Sequence, residues 1–259
     1  MAVFEIERLT FAYPEQEQTA IADLTLRVEA GEFLVLCGPS GCGKSTLLRQ
    51  LKPILAPHGR RSGDVFFDGK SLDSLSQREQ TETIGFVQQS CDNQIVTDKV
   101  WHELAFGLES LGYDTPTIRR RVAEMASFFG IQTWFYRPVT ELSGGQKQLL
   151  NLASVMVLQP KVLILDEPTS RLDPIAASDF LSTLGKINRE LGTTVILTEH
   201  RLEEAFSFAS RVAVMDKGRL LCTGTPAEVG AELKKSGNAM FLAMPAAMRI
   251  WSAVDSAAA

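Results

Sequence analysis

Three short stretches combine residue types and spacings suited to phosphate chemistry. "GPSGCGKST", Gly38 to Thr46, satisfies G-x-x-x-x-G-K-[ST]. Its glycines, Gly38, Gly41 and Gly43, let backbone N–H groups curl around phosphate oxygens, and the helix that follows offers its positive end. Pro39, Ser40, Cys42 and Thr46 complete the loop. Lys44 can reach β- and γ-phosphate oxygens, and the Ser45 hydroxyl can ligate Mg²⁺. "VLILDEP" puts Asp166 at the end of an apolar strand, where a carboxylate can hold the same Mg²⁺ through water. Glu167 follows at once and could orient or deprotonate an attacking water. "ELSGGQKQ" sets Ser143, Gly144, Gly145 and Gln146 at a helix start, a second anion site. One chain has no need for two γ-phosphate cradles around one nucleotide. The second makes sense if it serves the nucleotide of another domain facing this one head to tail.

The elements that must position these stretches are legible from periodicity. "VFEIERLTFAY" and "ADLTLRVEAGE" alternate as strands of an antiparallel layer leading, through "EFLVLC", into the phosphate loop. "KSTLLRQL" predicts a helix ending near Pro53, "APHGRRSGD" an exposed loop and "DVFFDGKSL" a strand with a turn. In "TPTIRRRVAEMASFFG" Thr115 can cap, Pro116 suits the first turn, and Ile118, Val122, Met125 and Phe129 share a face before Gly130. A helix follows from "SGGQKQLLNLASVMVL", then the strand "KVLILDEP", a helix around "PIAASDFLSTLGKINREL" and the strand "TTVILTEH". Alternating strands and helices imply an α/β core with a parallel sheet. Helices over about 98–158 interrupt the alternation as a separate lobe.

At 259 residues and 45% hydrophobic content the chain can bury a full core. Its net charge of −5 argues against nucleic acid as the main partner, and the basic run Arg119 to Arg121 reads as a solvated helix face. Cys37, Cys42, Cys91 and Cys222 show no C-x-x-C pairing, which fits reduced cytosolic thiols. "MAVFEIERL" has acids where a signal peptide needs basic residues, and no run approaches the roughly 20 apolar residues that cross a bilayer. A soluble protein, or one peripheral to a membrane through other chains, is expected.

The phosphate loop, "LSGGQ", "LDEPTSRLD" and "TEH", in this order and spacing, resemble the nucleotide-binding domain of ABC transporters over nearly the whole chain to about residue 230. The resemblance implies a P-loop NTPase of RecA-like core with an antiparallel β layer and a helical lobe, spanning 1–235. It implies ATP and Mg²⁺ as cofactors and a second ABC ATPase domain, identical or not, as partner. Tyr13 resembles the aromatic that stacks on adenine, although it also suits a strand-edge core position. Gln89 resembles the lid glutamine near Mg²⁺ and the attacking water, and His200 the switch histidine at the γ-phosphate. Asp173 resembles the aspartate that communicates across the dimer, and by itself would pass for a helix cap before Pro174.

"QQSCDNQIVTDKVWHELAFGLESLG" resembles, more narrowly, the segment after the lid glutamine in ATPases of energy-coupling-factor transporters of vitamins and metals. Ser90 and Cys91 stand where Asn and Pro recur, Glu199 precedes His200, Arg171 fills a position usually small, and Leu149 stands where Arg is frequent. None of these departures touches the phosphate, Mg²⁺ or water contacts. Such an ATPase must export its work to integral membrane subunits from the cytoplasmic face, where it is peripheral. The contact surface expected lies within 92–112, with Ile95, Val96, Val100, Trp101, Leu104, Phe106 and Leu108, at least half of them filling the lobe's own core. A conventional binding-protein-dependent importer keeps every catalytic residue. A soluble ABC ATPase acting on DNA or ribosomes usually carries two cassettes or a coiled-coil insertion, and no [NT]-K-x-D supports a GTPase. The apolar tail, 236–259, has Met244, Met248, Trp251 and Val254 near helical spacing. It fits either a docking helix that aids pairing or the linker of a tandem two-ATPase protein.

Overall fold

A computed structural model describes residues 1–14 and 18–250. The strands are β1 (Ala2–Ala12), β2 (Ile21–Glu29), β3 (Phe33–Cys37), β4 (Arg60–Phe67), β5 (Lys70–Ser71), β6 (Ile84–Val87), β7 (Val162–Asp166), β8 (Thr194–Thr198), β9 (Arg211–Asp216) and β10 (Arg219–Gly224). The helices are α1 (Lys44–Gln50), α2 (Gln77–Thr83), α3 (Val100–Ser110), α4 (Thr115–Phe128), α5 (Gly144–Met156), α6 (Pro174–Leu191), α7 (Leu202–Ala205) and α8 (Pro226–Lys235). Strands β2-β1-β4-β5 form an antiparallel sheet. A second sheet has the order β10-β9-β3-β8-β7-β6, parallel except for the β9–β10 hairpin.

The parallel strands are apolar on both faces because both faces are covered. Phe33, Val35, Leu163 and Leu165 enter one core with α3, α4, α5 and α6. Leu34, Leu36, Val162 and Ile164 enter the other, with α1 and the antiparallel sheet. The strand order also sets the site. Neighbours β3, β8, β7 and β6 run parallel, so the segments leaving their carboxyl ends emerge side by side, where open α/β sheets bind ligands. Those segments carry the phosphate loop, His200, Asp166–Glu167 and Gln89.

Three local expectations change. Residues 60–64 form the exposed start of β4 rather than a loop, because Arg60, Arg61 and Ser62 pair with Ala12, Phe11 and Thr10 of β1. Asp114, not Thr115, caps α4: its side chain accepts from Thr117 N, and the carboxylate is held below its ordinary range by that bond. α2 was not expected, yet Ser76 and Glu79 form a reciprocal capping box that starts it. Of the tail, Met244 is buried in the core beside Met240, Phe241 and Met248, and the chain turns helical again from Ala246. Trp251 and Val254 lie outside the described residues.

Candidate active site

The phosphate loop leaves β3 through backbone that only glycine tolerates. Gly38 has φ 148° and Gly43 φ 105°. A Cβ on Gly38 would lie 2.1 Å from the Met215 carbonyl oxygen, and one on Gly43 2.3 Å from that of Ala20. Lys44, opening α1, is buried to 5% exposure, and its ammonium donates to the carbonyls of Gly38 (2.9 Å) and Pro39 (3.1 Å). No carboxylate among the described residues lies within 4 Å of it, so a buried cation is met only by neutral oxygens. That is an arrangement suited to an anion. Cys42 is buried with its sulfur 3.9 Å from this ammonium, and burial pushes its thiol above the ordinary range. Cys37, behind it, is pushed up to about 12 by the same cause.

Ser45 donates to Asp166 Oδ1 at 2.9 Å, and the same oxygen accepts from Thr198 Oγ1 at 3.0 Å. Thr198 is the register partner of Asp166 on β8, which brings its hydroxyl there. A hydroxyl beside a carboxylate, at the mouth of a phosphate loop, is the hard-oxygen donor set that suits Mg²⁺. Glu167 follows with φ 47°, a left-handed conformation costly for a residue with a Cβ. Its N–H donates to the hydroxyl (3.0 Å) and carbonyl (3.1 Å) oxygens of Thr198, which holds it there. The turned backbone aims its carboxylate at two side chains from the flanking segments. His200 Nε2 lies 2.9 Å from Glu167 Oε1, and Gln89 Nε2 donates to Oε2 at 3.2 Å. The three residues predicted to surround a water therefore converge on one carboxylate. Gln89, expected also at the metal, makes its hydrogen bond to Glu167.

Above the loop, a cavity of about 370 Å³ is lined by Tyr13, Ser40, Gly43, Lys44, Thr46 and Glu167. Tyr13 packs edge-on against Phe11 and its hydroxyl shares a 3.0 Å hydrogen bond with Thr46. Tyr13 thus packs against the core on one side and lines the cavity on another.

The remaining predicted residues lie elsewhere. Ser143 caps α5 in a reciprocal box with Gln146 and, with Gly145, lines a separate hollow against α6. Asp173 caps α6 through the N–H groups of Ile175 and Ala176. Two anchors escaped sequence reasoning. Gln94 accepts from Gln88 N and Asn151 Nδ2 and donates to the Phe86 carbonyl, tying the lid to β6 and α5. Glu103, buried on α3, accepts from the N–H groups of Val96 and Thr97. A polar residue inside an apolar helical face, as in "VWHELAFG", is the signal that marks Glu103.

On the helical lobe Val100, Leu104 and Leu108 are buried, whereas Val96, Trp101 and Phe106 are exposed. A groove of about 510 Å³ runs between α3 and α4, lined by Trp101, Ala105, Ile118, Val122, Phe135 and Tyr136. Among the described residues no helix is long and apolar enough to cross a membrane.

A phosphate loop after the central strand, with an acidic pair closing the strand two places away, defines a P-loop nucleoside triphosphatase. The ABC transporter family profile matches residues 21–170, and the chain belongs to this family of ATPases. It is 48% identical, over 229 residues, to a putative ABC transporter ATP-binding protein of Bacillus cereus. That match covers 88% of this chain and 41% of the relative, so the chain spans about two-fifths of the relative's length. The solved structure of cbiO1 from Clostridium perfringens, part of the ABC transporter complex cbiONQ, is 33% identical with a TM-score of 0.81. It is covered over 97% of this chain and 99% of that one. At 24% identity, the dimeric ATP-binding cassette MJ0796, bound to ADP and Pi, shares the fold with a TM-score of 0.73 over 86% of this chain and 98% of its own.

Proposed function

We propose that this chain is the ATP-hydrolysing cassette of an energy-coupling-factor importer, working at the cytoplasmic face of the membrane on uptake of a small nutrient such as a vitamin or metal ion. The end-to-end likeness to cbiO1, a part of cbiONQ, carries this reading. The apolar groove beside Trp101 and Tyr136, the latter 80% exposed, supports it as the seat of an integral membrane subunit. The second cassette is either another polypeptide or, as the length of the Bacillus cereus relative suggests, the other half of a tandem protein.

The reaction is phosphoryl transfer to water. Lys44 and the loop N–H groups hold the phosphates, and the Tyr13 ring faces the base. Ser45 and Asp166 would hold Mg²⁺, which neutralises charge on the phosphate oxygens. Glu167 takes the proton of the attacking water, which Gln89 and His200 orient from either side. Charge developing on the γ-phosphoryl is met by Lys44 and by the Ser143 helix end of the second cassette. Asp173 lies on the side that meets this second cassette.

Purification of the tagged chain from membranes tests the transport reading. An integral membrane protein that comes down with it, in complex with a small vitamin- or metal-binding subunit, is the expected result. Recovery with a periplasmic or lipid-anchored binding protein's permease, or with ribosomes, would refute it.

A further inference from the structure

We infer that Glu199 is a positioning residue for hydrolysis, setting His200 against the loop that carries Glu167. The inference rests on the reading that Glu167 and His200 flank the attacking water. Glu199 is 3% exposed, a depth at which a carboxylate is tolerated only if donors meet it. It has four, divided by origin. Oε1 accepts from the N–H (3.2 Å) and the hydroxyl of Thr169, two residues after Glu167. Oε2 accepts from the N–H groups of His200 (2.9 Å) and Arg201 (3.3 Å). Each oxygen thus serves a different segment, one leaving β7 and the other leaving β8.

The contact between His200 and Glu167 closes a ring: Glu167, Thr169, Glu199, His200 and back to Glu167. Arg201 adds a parallel tie, its guanidinium donating to the Leu172 carbonyl at 3.0 Å. Thr169 is fully buried, so the ring's rear half is shielded from water while His200 stands half-exposed at the front. None of these bonds involves Lys44, Ser45 or Asp166. Glu199 therefore acts on the water-orienting geometry and not on the phosphate cradle. A glutamine has the same shape but turns an NH₂ toward a backbone N–H on whichever side it faces, so at least one of these N–H groups loses its acceptor.

Steady-state hydrolysis and ATP-analogue binding by the full-length chain with its partner cassette test this in E199Q, T169V and T169S. E199Q should lower kcat between about tenfold and about a hundredfold, the scale of a mis-set reacting group, with KM for ATP within about twofold of wild type. T169V, which removes only one donor from the ring, should show the same split to a smaller degree, and T169S should restore it. In the H200A background E199Q should add no further loss. Wild-type kcat in E199Q, or equal damage to kcat and nucleotide binding in E199Q, T169V and T169S alike, would overturn the inference. H200A and E167Q run in parallel separate the two levels. If they turn over normally the underlying reading fails; if they are inactive while E199Q is normal, only this inference fails.

Discussion

Two helices of the chain, α1 and α5, begin at glycine-rich sequences, and the two ends are built differently. At α1 every group is tied to something in the same chain: Lys44 to the loop carbonyls, Ser45 to Asp166, and Glu167 to Gln89 and His200. Two of its glycines are demanded by its own packing, since a Cβ on Gly38 or Gly43 would strike a backbone carbonyl, and Gly41 by its φ of 77°. At α5 the cap is local, Ser143 with Gln146; a Cβ on Gly144 would meet nothing within 4 Å, and one on Gly145 only the Ala176 side chain, at 3.2 Å. Within the chain Gly144 has room for a side chain, so any constraint on that position would have to come from a second cassette. One helix end belongs to a built pocket, and the other, on our proposal, meets a nucleotide held by a second cassette.

Substitutions that treat the two ends alike should break this contrast. Gly38→Ala should have the largest effect, abolishing ATP binding and lowering the melting temperature, because it drives a Cβ into the Met215 carbonyl. Equilibrium binding of a fluorescent ATP analogue and thermal melts check it. Glu167→Gln should leave that binding intact while slowing turnover by about 10² or more, the share usually supplied by a general base; single-turnover hydrolysis reads it. Gly144→Ala should sharpen the contrast. It should bind ATP normally and melt no lower than wild type, since Ala favours helix over Gly by up to about 1 kcal/mol, yet lose hydrolysis in the assembled pair. A Gly144→Ala chain with full activity would mean that nothing approaches that helix end.

The smallest effect concerns the far end of α1 from the phosphate loop. Lys52, just after α1, is lowered by burial from 10.5 to about 8, and its ammonium donates to the Ile84 carbonyl at 2.7 Å. Between about pH 8 and 10.5 this lysine holds a proton in the unfolded chain that it has released in the folded one, so its own contribution to stability should rise with pH across that window. Below it both states are protonated and the slope vanishes. Because the buried Cys37 and Cys42 thiols act in the opposite sense above about pH 9, the readout is the difference between wild type and Lys52→Met in denaturant melts, which should shift in favour of wild type as pH rises from about 8 to 10.5.

The legible parts of the site were those encoded within a few residues. Lys44 and Ser45 follow from glycine spacing, Asp166 and Glu167 from an apolar run ending in acids. Gln89 and His200 came only from family likeness, because nothing near them in sequence says that β6 and β8 will flank β7. Thr198 and Glu199 stayed hidden for the same reason: their partners, Asp166 and Thr169, lie about thirty positions away and meet them only through strand register. The outer half of β4 read as a loop because Arg60 to Asp64 are polar and take their regularity from pairing with β1. Ser90 and Arg171, noted as separate departures from the family pattern, are one feature in space, joined by a 3.0 Å hydrogen bond between the lid and the loop after Glu167.

The central claim is that this pocket is completed by the α5 end of a second cassette. Mass measurement of Glu167→Gln with ATP and Mg²⁺ tests it most directly, beside the same chain carrying Ser143→Arg. The expected result is a particle of two cassettes and two nucleotides in the first and single cassettes with bound ATP in the second. Equal assembly in both, or wild-type hydrolysis at constant specific activity down to dilutions where only single cassettes exist, would contradict it.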